Sequence, residues 1–437
     1  MKKRFTAFLL LLAVSLAGCA ANNAGDAVIS DSRVYAPSVY DNVDSPYNDK
    51  IASGMNGGET AAAGGDTEAP DNFGGADNTE TTAEKSGSPD TVIHFLAAGD
   101  NIIHSNVYED ALSRATGAEG DPEYNFTDMY DDVADMFRSA DISYINQEGM
   151  MAGEDYGYSG YPNFNGPQAM GDTIVDDLGF DIVNIANNHM LDKWESGLID
   201  TTEYFESKNC LLIGSYSSAA DYDDVRVYDY NGVRIALLSY TYSTNGMYLP
   251  ATSERVIPLF DADTIVRQIA IAKERADLVF VSAHWGIEDS FTASSDQKYY
   301  AQLMVDNGVD VIIGMHPHVL EPMEWAENSE GHKTLITYSI GNLISTMLYS
   351  RNMVGGVLTF DIVRTNGEYS IENPLLTPIV CHYNSSRRGL EVYKLENYTA
   401  ELCAAHGSQK YGSFDLDTLK KYVTDTIGTQ FLPDWIK

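Results

Sequence analysis

The sequence predicts a layered α/β domain whose sheet is covered by helices on at least one side, and three observations carry that expectation. The first is a strand–helix–strand unit. The apolar run Leu278-Val279-Phe280-Val281 and the run from Val309 to Gly314 each have the length and β-branched content of a buried strand. Between them a helical pattern begins near Ser295, sets Tyr300, Leu303 and Met304 on one face and stops at Gly308. Two strands joined in this way form a right-handed crossover and end at the same edge of a parallel sheet. The second observation is that strands alternate with helices over the first two thirds of the chain and then dominate. The third is that polar groups recur directly after apolar runs, at the edge where open α/β sheets hold their ligands.

Taken in order, Val92 to Ala98 is the first predicted strand and ends in Gly99-Asp100-Asn101. A helix is expected around Phe126 to Ala140, with Phe126, Met129, Val133, Met136 and Phe137 on one face. Ile142 to Ile145 is a strand that runs into Asn146-Gln147-Glu148-Gly149, and Tyr156 to Gly166 reads as a loop over the strand ends. Pro167 opens a helix through Met170, Ile174, Val175 and Leu178. Phe180 to Ala186 is a strand ending in Asn187-Asn188-His189, and Leu211 to Ser215 another. Asn231-Gly232 joins Val225–Tyr230 to Val233–Tyr240 as a hairpin. Thr264 to Ala276 is a helix, and the crossover unit follows. Leu335 to Tyr338 leads into Ser339-Ile340-Gly341-Asn342, Val357–Val363 and Tyr369–Cys381 read as antiparallel strands, and Asp415 to Ile427 as a closing helix.

The 437 residues are 44% hydrophobic and 21% charged, enough for one or two packed domains. Lys2, Lys3 and Arg4 precede an apolar stretch, Phe5 to Leu16, too short to span as a mature helix; this is a secretion signal. It ends in Leu16-Ala17-Gly18-Cys19, which resembles a bacterial lipoprotein box. That resemblance implies cleavage after residue 18 and a diacylglyceryl group on Cys19, hence a protein anchored by lipid to the outward face of the cell membrane. Residues 19–90, rich in Gly, Ala, Asn, Asp, Ser and Thr, are expected to be a flexible acidic tether, and residues 91–437 the folded domain. With Cys19 lipidated, Cys210, Cys381 and Cys403 are an odd number, which excludes a complete disulfide framework and leaves one bridge or three buried thiols. The balance of 27 Lys and Arg against 64 Asp and Glu, a formal charge of −37, argues against nucleic acid as a partner and against broad adhesion to anionic lipid or polymer. An anionic substrate would need local neutralisation, which a metal centre can supply.

Asp100, Glu148, Asn188 with His189, His284, and His316 with His318 all sit at predicted strand ends. Singly each is unremarkable: an Asp after Gly commonly caps a helix or turn, and a His-x-His pair is a weak signal. Their repetition at one sheet edge points to a metal site. Carboxylate, amide oxygen and imidazole together suit Mn, Fe or Zn better than Mg or Ca. Six donors exceed what one tetrahedral ion needs, so two divalent ions with a bridging carboxylate are expected, an arrangement that activates water and stabilises an in-line displacement. The sequence has no Gly-x-Ser-x-Gly elbow, P-loop or dinucleotide glycine pattern. Trp285, Tyr156, Tyr158, Tyr161 and Tyr338 either line a substrate cleft or pack in the core.

Gly99-Asp100, Asn146-x-Glu148-Gly149, Ala186-Asn187-Asn188-His189 with Asp192, His284-Trp285-Gly286, Gly314-x-His316-Pro317-His318-Val319 and Tyr338-Ser-x-Gly-Asn342 together resemble the bacterial capsule-synthesis family of the CapA type. That family includes poly-γ-glutamate synthesis proteins and is related to the calcineurin-like metallophosphoesterases. The resemblance covers about Val92 to Asn342 and implies a four-layer αββα sandwich with a dinuclear centre. It implies that Asp100 and His318 hold a first ion, that Asn188, His284 and His316 hold a second, that Glu148 bridges, and that His189 is a general acid. Trp285, Tyr338 and Asn342 become the candidate substrate-binding residues. Two departures from the metallophosphoesterase pattern stand out: Ile102 occupies the imidazole position of the Asp-x-His motif, and a Glu stands for the bridging Asp. Two functions follow as expectations. One is a hydrolase-like enzyme acting on a phosphoester or another bond of an envelope polymer or its carrier. The other is a non-catalytic subunit that binds polymer beside membrane synthase or export subunits.

Overall fold

The computed structural model describes residues 91–118 and 123–437. The expected signal peptide, Cys19 and the acidic tether lie outside the described residues. Strands β1 (Thr91–Ile102), β2 (Ile142–Glu148), β3 (Ile182–Asn184) and β4 (Leu211–Ile213) lie parallel, side by side. Strands β5 (Arg226–Tyr230), β6 (Val233–Thr241), β7 (Leu278–His284), β8 (Val311–Met315), β9 (Met323–Glu327) and β10 (Lys333–Thr337) form a second sheet in the order β5-β6-β7-β8-β10-β9. The chain then returns to the first sheet. Strands β11 (Asn342–Ile344), β12 (Val354–Thr365), β13 (Glu368–His382) and β14 (Glu391–Lys394) extend it to β14-β13-β12-β1-β2-β3-β4, with β11 also beside β1.

The helices are α1 (Ser105–Arg114), α2 (Ala134–Ser139), α3 (Gln168–Asp172), α4 (Trp194–Glu206), α5 (Ala219–Asp223), α6 (Ala262–Arg275), α7 (Ser295–Asp306), α8 (Ala400–Ala405) and α9 (Leu416–Thr424). The crossover unit is β7–α7–β8, and β7 and β8 pair in parallel as the sequence predicts. A capping box starts α7: the Ser294 hydroxyl accepts from Gln297 N while the Gln297 side chain returns to Ser294 N. The hairpin turn has both Asn231 (φ 53°) and Gly232 (φ 81°) in the left-handed region, the geometry a two-residue turn between twisted strands requires.

The two sheets face each other. Phe95 of β1 meets Phe280 of β7 edge-on with centroids 5.3 Å apart and stacks on Phe360 of β12 at 4.8 Å. Tyr144 Oη of β2 lies 2.6 Å from Ser282 Oγ of β7. On the far side of the second sheet, Ile265, Ile269 and Ala272 of α6 and Ala301, Met304 and Val305 of α7 pack on Ala236, Leu238, Val279, Val281 and Ile312. On the far side of the first, Phe137 of α2 meets Phe180 at 4.9 Å. The architecture is therefore helix, sheet, sheet, helix, the four layers expected.

The predicted helix over 126–140 is broken into a 3₁₀ turn at Thr127–Tyr130 and the short α2. Its apolar face survives, since Phe126, Met129, Val133 and Phe137 are all buried. At the break, the Asp132 carboxylate accepts from Lys394 N and Asn397 Nδ2, contacts with the C-terminal segment that a continuous reading of the apolar face does not foresee. Cys210, Cys381 and Cys403 are free thiols.

Candidate metal centre

The carboxyl ends of β1, β2, β7 and β8 deliver the site. Two glycines let the backbones come close enough there. A Cβ at Gly99 would sit 1.9 Å from the Gly341 carbonyl, and one at Gly314 would sit 2.0 Å from the Tyr338 carbonyl. Beyond Gly314 the chain turns through His316 (φ 98°) and His318 (φ 57°), both at positive φ, which only a few per cent of residues other than Gly adopt. Such strain persists where surrounding contacts over-determine it, and it clusters at functional sites.

Three groups of donor atoms lie mutually within 4.8 Å: Asp100, Glu148 and His318; Glu148, His284 and His316; and Glu288, His316 and His318. The first two share Glu148, and both are buried. Asn188 joins the second through its Oδ1, 2.9 Å from His284 Nε2. The structure thus brings together Asp100, Glu148, Asn188, His284, His316 and His318. Glu288 is the donor the sequence reading missed. It stands two residues past Gly286 (φ 96°) on a half-buried loop, and the one signal for it was a carboxylate four residues after His284.

Charge balance and unmatched atoms decide whether these residues suit a cation. Glu148 Oε2, His284 Nδ1 and His316 Nδ1 are buried without a hydrogen-bond partner, a cost of about 1–3 kcal/mol each when left unmet. Burial, and then the neighbouring imidazoles, push His284 and His316 well below the ordinary histidine range. Both are therefore neutral, the form that offers a lone pair to a metal. Burial pushes Glu148 up, and the Asp100 carboxylate adds to the rise. Burial would also lower His318, but Glu148 and Asp100 outweigh it and hold its pKa at about 10. Positive charge is therefore favoured beside Asp100 and Glu148. The donor set fits a divalent cation.

Polar contacts behind these groups fix their orientation, as is usual around metal ligands. Asp100 Oδ1 accepts from Asn146 Nδ2 (2.6 Å), Asn146 Oδ1 from Asn184 Nδ2 (2.7 Å), and Asn184 Oδ1 from Ser239 Oγ (2.5 Å). This buried chain links β1 to β6 across both sheets. Asp100 Oδ2 accepts from His316 N at 3.1 Å.

His189 belongs to none of the three donor groups but lies near enough to act on His284 and His316 electrostatically. Its Nδ1 lies 2.7 Å from Asp192 Oδ2, which also accepts from Phe164 N at 2.6 Å. The Phe164 ring meets the imidazole edge-on at 4.6 Å, so the loop expected over the site does press on His189. His104 does not replace the imidazole lost at Ile102: its Nδ1 accepts from Thr346 N at 3.3 Å, and burial holds its pKa at about 3.

Trp285 and Tyr338 require a correction. Both are buried in the core between the second sheet and its helices. Trp285 Nε1 donates to Tyr338 O at 2.9 Å, and Tyr338 Oη to Glu324. Strand alternation points His284 to the centre and its neighbour Trp285 away from it. Asn342 is also buried, and its Oδ1 lies 3.0 Å from His318 Nδ1, so it orients an imidazole.

Residues 94–347 match the family model described as bacterial capsule synthesis protein PGA_cap, which is more than half of the chain. The chain belongs to this family. It is 33% identical over 211 residues to the PGA biosynthesis protein CapA of Bacillus subtilis (strain 168), covering 48% of this chain and 53% of that one. It is 33% identical over 198 residues to the capsule biosynthesis protein CapA of Bacillus anthracis, covering 44% and 46%. The match thus spans about half the length of these curated relatives. Among solved structures, the NAD nucleotidase NadN of Haemophilus influenzae aligns with a TM-score of 0.42 at 15% identity, over 79% of this chain and 57% of that one. The calcineurin-like phosphoesterase YfkN of Bacillus subtilis aligns with a TM-score of 0.39 at 11% identity, over 66% and 90%. At these TM-scores neither likeness carries a functional inference.

Proposed function

We propose that this PGA_cap family chain is a metal-dependent hydrolase of capsule or poly-γ-glutamate synthesis, acting on a phosphoester or a related bond of an envelope polymer or its carrier. The observation that carries the reading is the His189–Asp192 pair beside the donor groups. A site that served structure alone would have no use for an imidazole oriented by a carboxylate with its other nitrogen left over. Asp100, Glu148 and His318, and Glu148, Asn188, His284 and His316, would hold two divalent ions, Mn, Fe or Zn. When bound, such ions supply Lewis-acid polarisation and lower the pKa of water. The protein residues do the rest. Glu148 ties the two donor groups together, and Asn342 and Asp100 fix the His318 ring. Asp192 holds the His189 tautomer so that Nε2 can give a proton to the leaving oxygen. No helix among the described residues is long and apolar enough to cross a membrane. The Cys19 lipid is proposed as the anchor, on the outward face of the membrane, from the lipoprotein-like box Leu16-Ala17-Gly18-Cys19.

His189→Ala is the test. It should retain bound metal and lose turnover by ~10²–10⁴-fold in a phosphoesterase screen of the metal-loaded protein. Loss of metal as complete as in Glu148→Ala would make His189 a ligand and remove the proposed acid. A second reading, a polymer-binding subunit without turnover, is favoured by Ile102 at the imidazole position. It forecasts no wild-type turnover and unchanged polymer output from cells carrying His189→Ala.

A further inference from the structure

A cavity of about 550 Å³ opens near the carboxyl end of β4, and none of its ten lining residues belongs to the metal centre. Helix α4 supplies Thr202, Glu203 and Glu206 to its wall, and the turn after β4 supplies Ser215 and Ser217. A backbone bridge, Val256 N donating to Tyr216 O at 3.1 Å, brings Arg255 against that turn. The size falls within the ~300–1,000 Å³ of small-molecule pockets.

Most of the charge in the wall is already used. Arg226 Nη2 donates to Asp221 Oδ1 at 2.6 Å, its Nη1 to Asp224 O at 3.1 Å, and its guanidinium lies over the Tyr216 ring at 5.4 Å. Asp221 also accepts from Ser217 N at 2.7 Å, and Asp224 is paired with Arg275. The Thr202 and Ser215 hydroxyls bond each other at 2.8 Å. Three groups remain. Arg255 Nη1 is buried and has no hydrogen-bond partner. Glu203 and Glu206, one turn apart on the same face of α4, have no side-chain partner among the described residues.

Arg255, on the cavity wall, has no side-chain partner among the described residues, and the planar fork of arginine matches a carboxylate. A simple anion is a poor candidate, because two guanidinium groups in the wall face four carboxylates. A simple cation would leave Arg255 unmet. A molecule carrying both charges satisfies all three groups. We propose that this cavity binds a small zwitterion, an α-amino acid or short peptide, with its carboxylate on Arg255 and its ammonium group between Glu203 and Glu206.

The test uses the full-length protein, with isothermal calorimetry and ligand-observed NMR against L-alanine, L-glutamate and L-alanyl-L-alanine. The N-acetyl and carboxamide forms of each compound are measured beside it. The expected result is saturable binding of at least one free compound, weakened about tenfold or more by either cap. Arg255→Gln should weaken the free compound by a similar factor and make it equal to its carboxamide. Glu203→Gln with Glu206→Gln, both at exposed positions that leave the fold intact, should make it equal to its N-acetyl form. Stripping metal with a chelator should change none of this, which separates the cavity from the proposed hydrolytic centre. The proposal is overturned if the wild type shows no saturable binding, if the N-acetyl form binds as well as the free compound, or if Arg255→Gln keeps full affinity.

Discussion

Glu321 offers a stability measurement whose sign and size follow from its surroundings. It lies three residues after His318 and is fully buried. One carboxyl oxygen accepts from Gln297 Nε2, and the other, Oε1, has no partner. Gln297 cannot turn to help, because its own Oε1 accepts from Ser294 N in the α7 capping box. Burial raises the Glu321 pKa from 4.5 to about 7, against a smaller opposing effect of the Gln297 hydrogen bond. A carboxyl whose folded pKa is raised holds its proton more tightly in the folded state. Its stability cost is absent below about pH 4.5, grows as pH rises, and is complete above about pH 7. At about 1.36 kcal/mol per pH unit, that cost reaches about 3 kcal/mol. Glu321→Gln removes the charge, keeps an acceptor for Gln297 and leaves the two N–H of the amide group unmet, an offset of about 1–2 kcal/mol. The variant should therefore be more stable than wild type by about 1–2 kcal/mol at pH 8, about 1–3 °C in melting temperature for a domain of this size. At pH 4.5 it should be no more stable than wild type. The assay is thermal unfolding of both proteins from pH 4.5 to 8.5 with a chelator present, so that metal binding does not enter. A difference between variant and wild type that does not change with pH would refute the reasoning.

Two further outcomes are expected. Glu148→Ala should strip divalent metal more completely than any imidazole substitution, because Glu148 is common to both buried donor groups; metal analysis of the purified protein checks this. Cys19→Ser should leave an unprocessed or released form where wild type fractionates with membranes, since the two acyl chains of a lipidated cysteine suffice for stable anchoring; identical soluble fractionation of both would remove the anchor.

Much of this centre was legible in the sequence, because a buried strand announces itself as an apolar run and the residue after the run is fixed to the sheet edge. Asp100, Glu148, His284 and His316 were found in that way, and the Asn231-Gly232 turn by its backbone requirement. Helix α1 was not foreseen, for a physical reason. Its buried residues are only Val107, Asp110 and Ala111, and Asp110 is buried because it accepts from Gly389 N and Leu390 N, almost 280 residues away. Strand β9 was missed because Glu324, Trp325 and Glu327 are exposed, and pairing with β10, not an apolar run, defines it. The position of Trp285 could have been read from alternation, since it lies one residue out of phase with His284, which faces the site.

The substitution at Ile102 and the arrival of Glu288 belong to one argument. Ile102 is buried and brings no donor, so the proposed first ion, on Asp100, Glu148 and His318, would lack one ligand of the usual pattern. Glu288 lies with His316 and His318, and its neighbour Asp289 fastens it there. Asp289 N donates to Pro317 O at 2.9 Å, and its carboxylate takes two hydrogen bonds from Arg351, at 2.9 and 3.0 Å, and one from Asn352 at 2.7 Å. Asn352 O in turn accepts from Asn342 Nδ2 at 3.0 Å, and Asn342 orients His318. The loop bearing Glu288 and the imidazole it accompanies are thus parts of one bonded unit, which makes Glu288 a placed donor. Through its place beside His318, Glu288 would bring a carboxylate where the usual pattern has an imidazole. Oxygen donors favour Mn over Zn relative to imidazole. Glu288→His should therefore shift the preference of the protein toward Zn, read as the Zn-to-Mn ratio retained after equilibrium dialysis against both ions and measured by elemental analysis. An unchanged ratio, with total metal also unchanged, would mean that Glu288 never reaches the ion and that the first position is completed by something other than this chain.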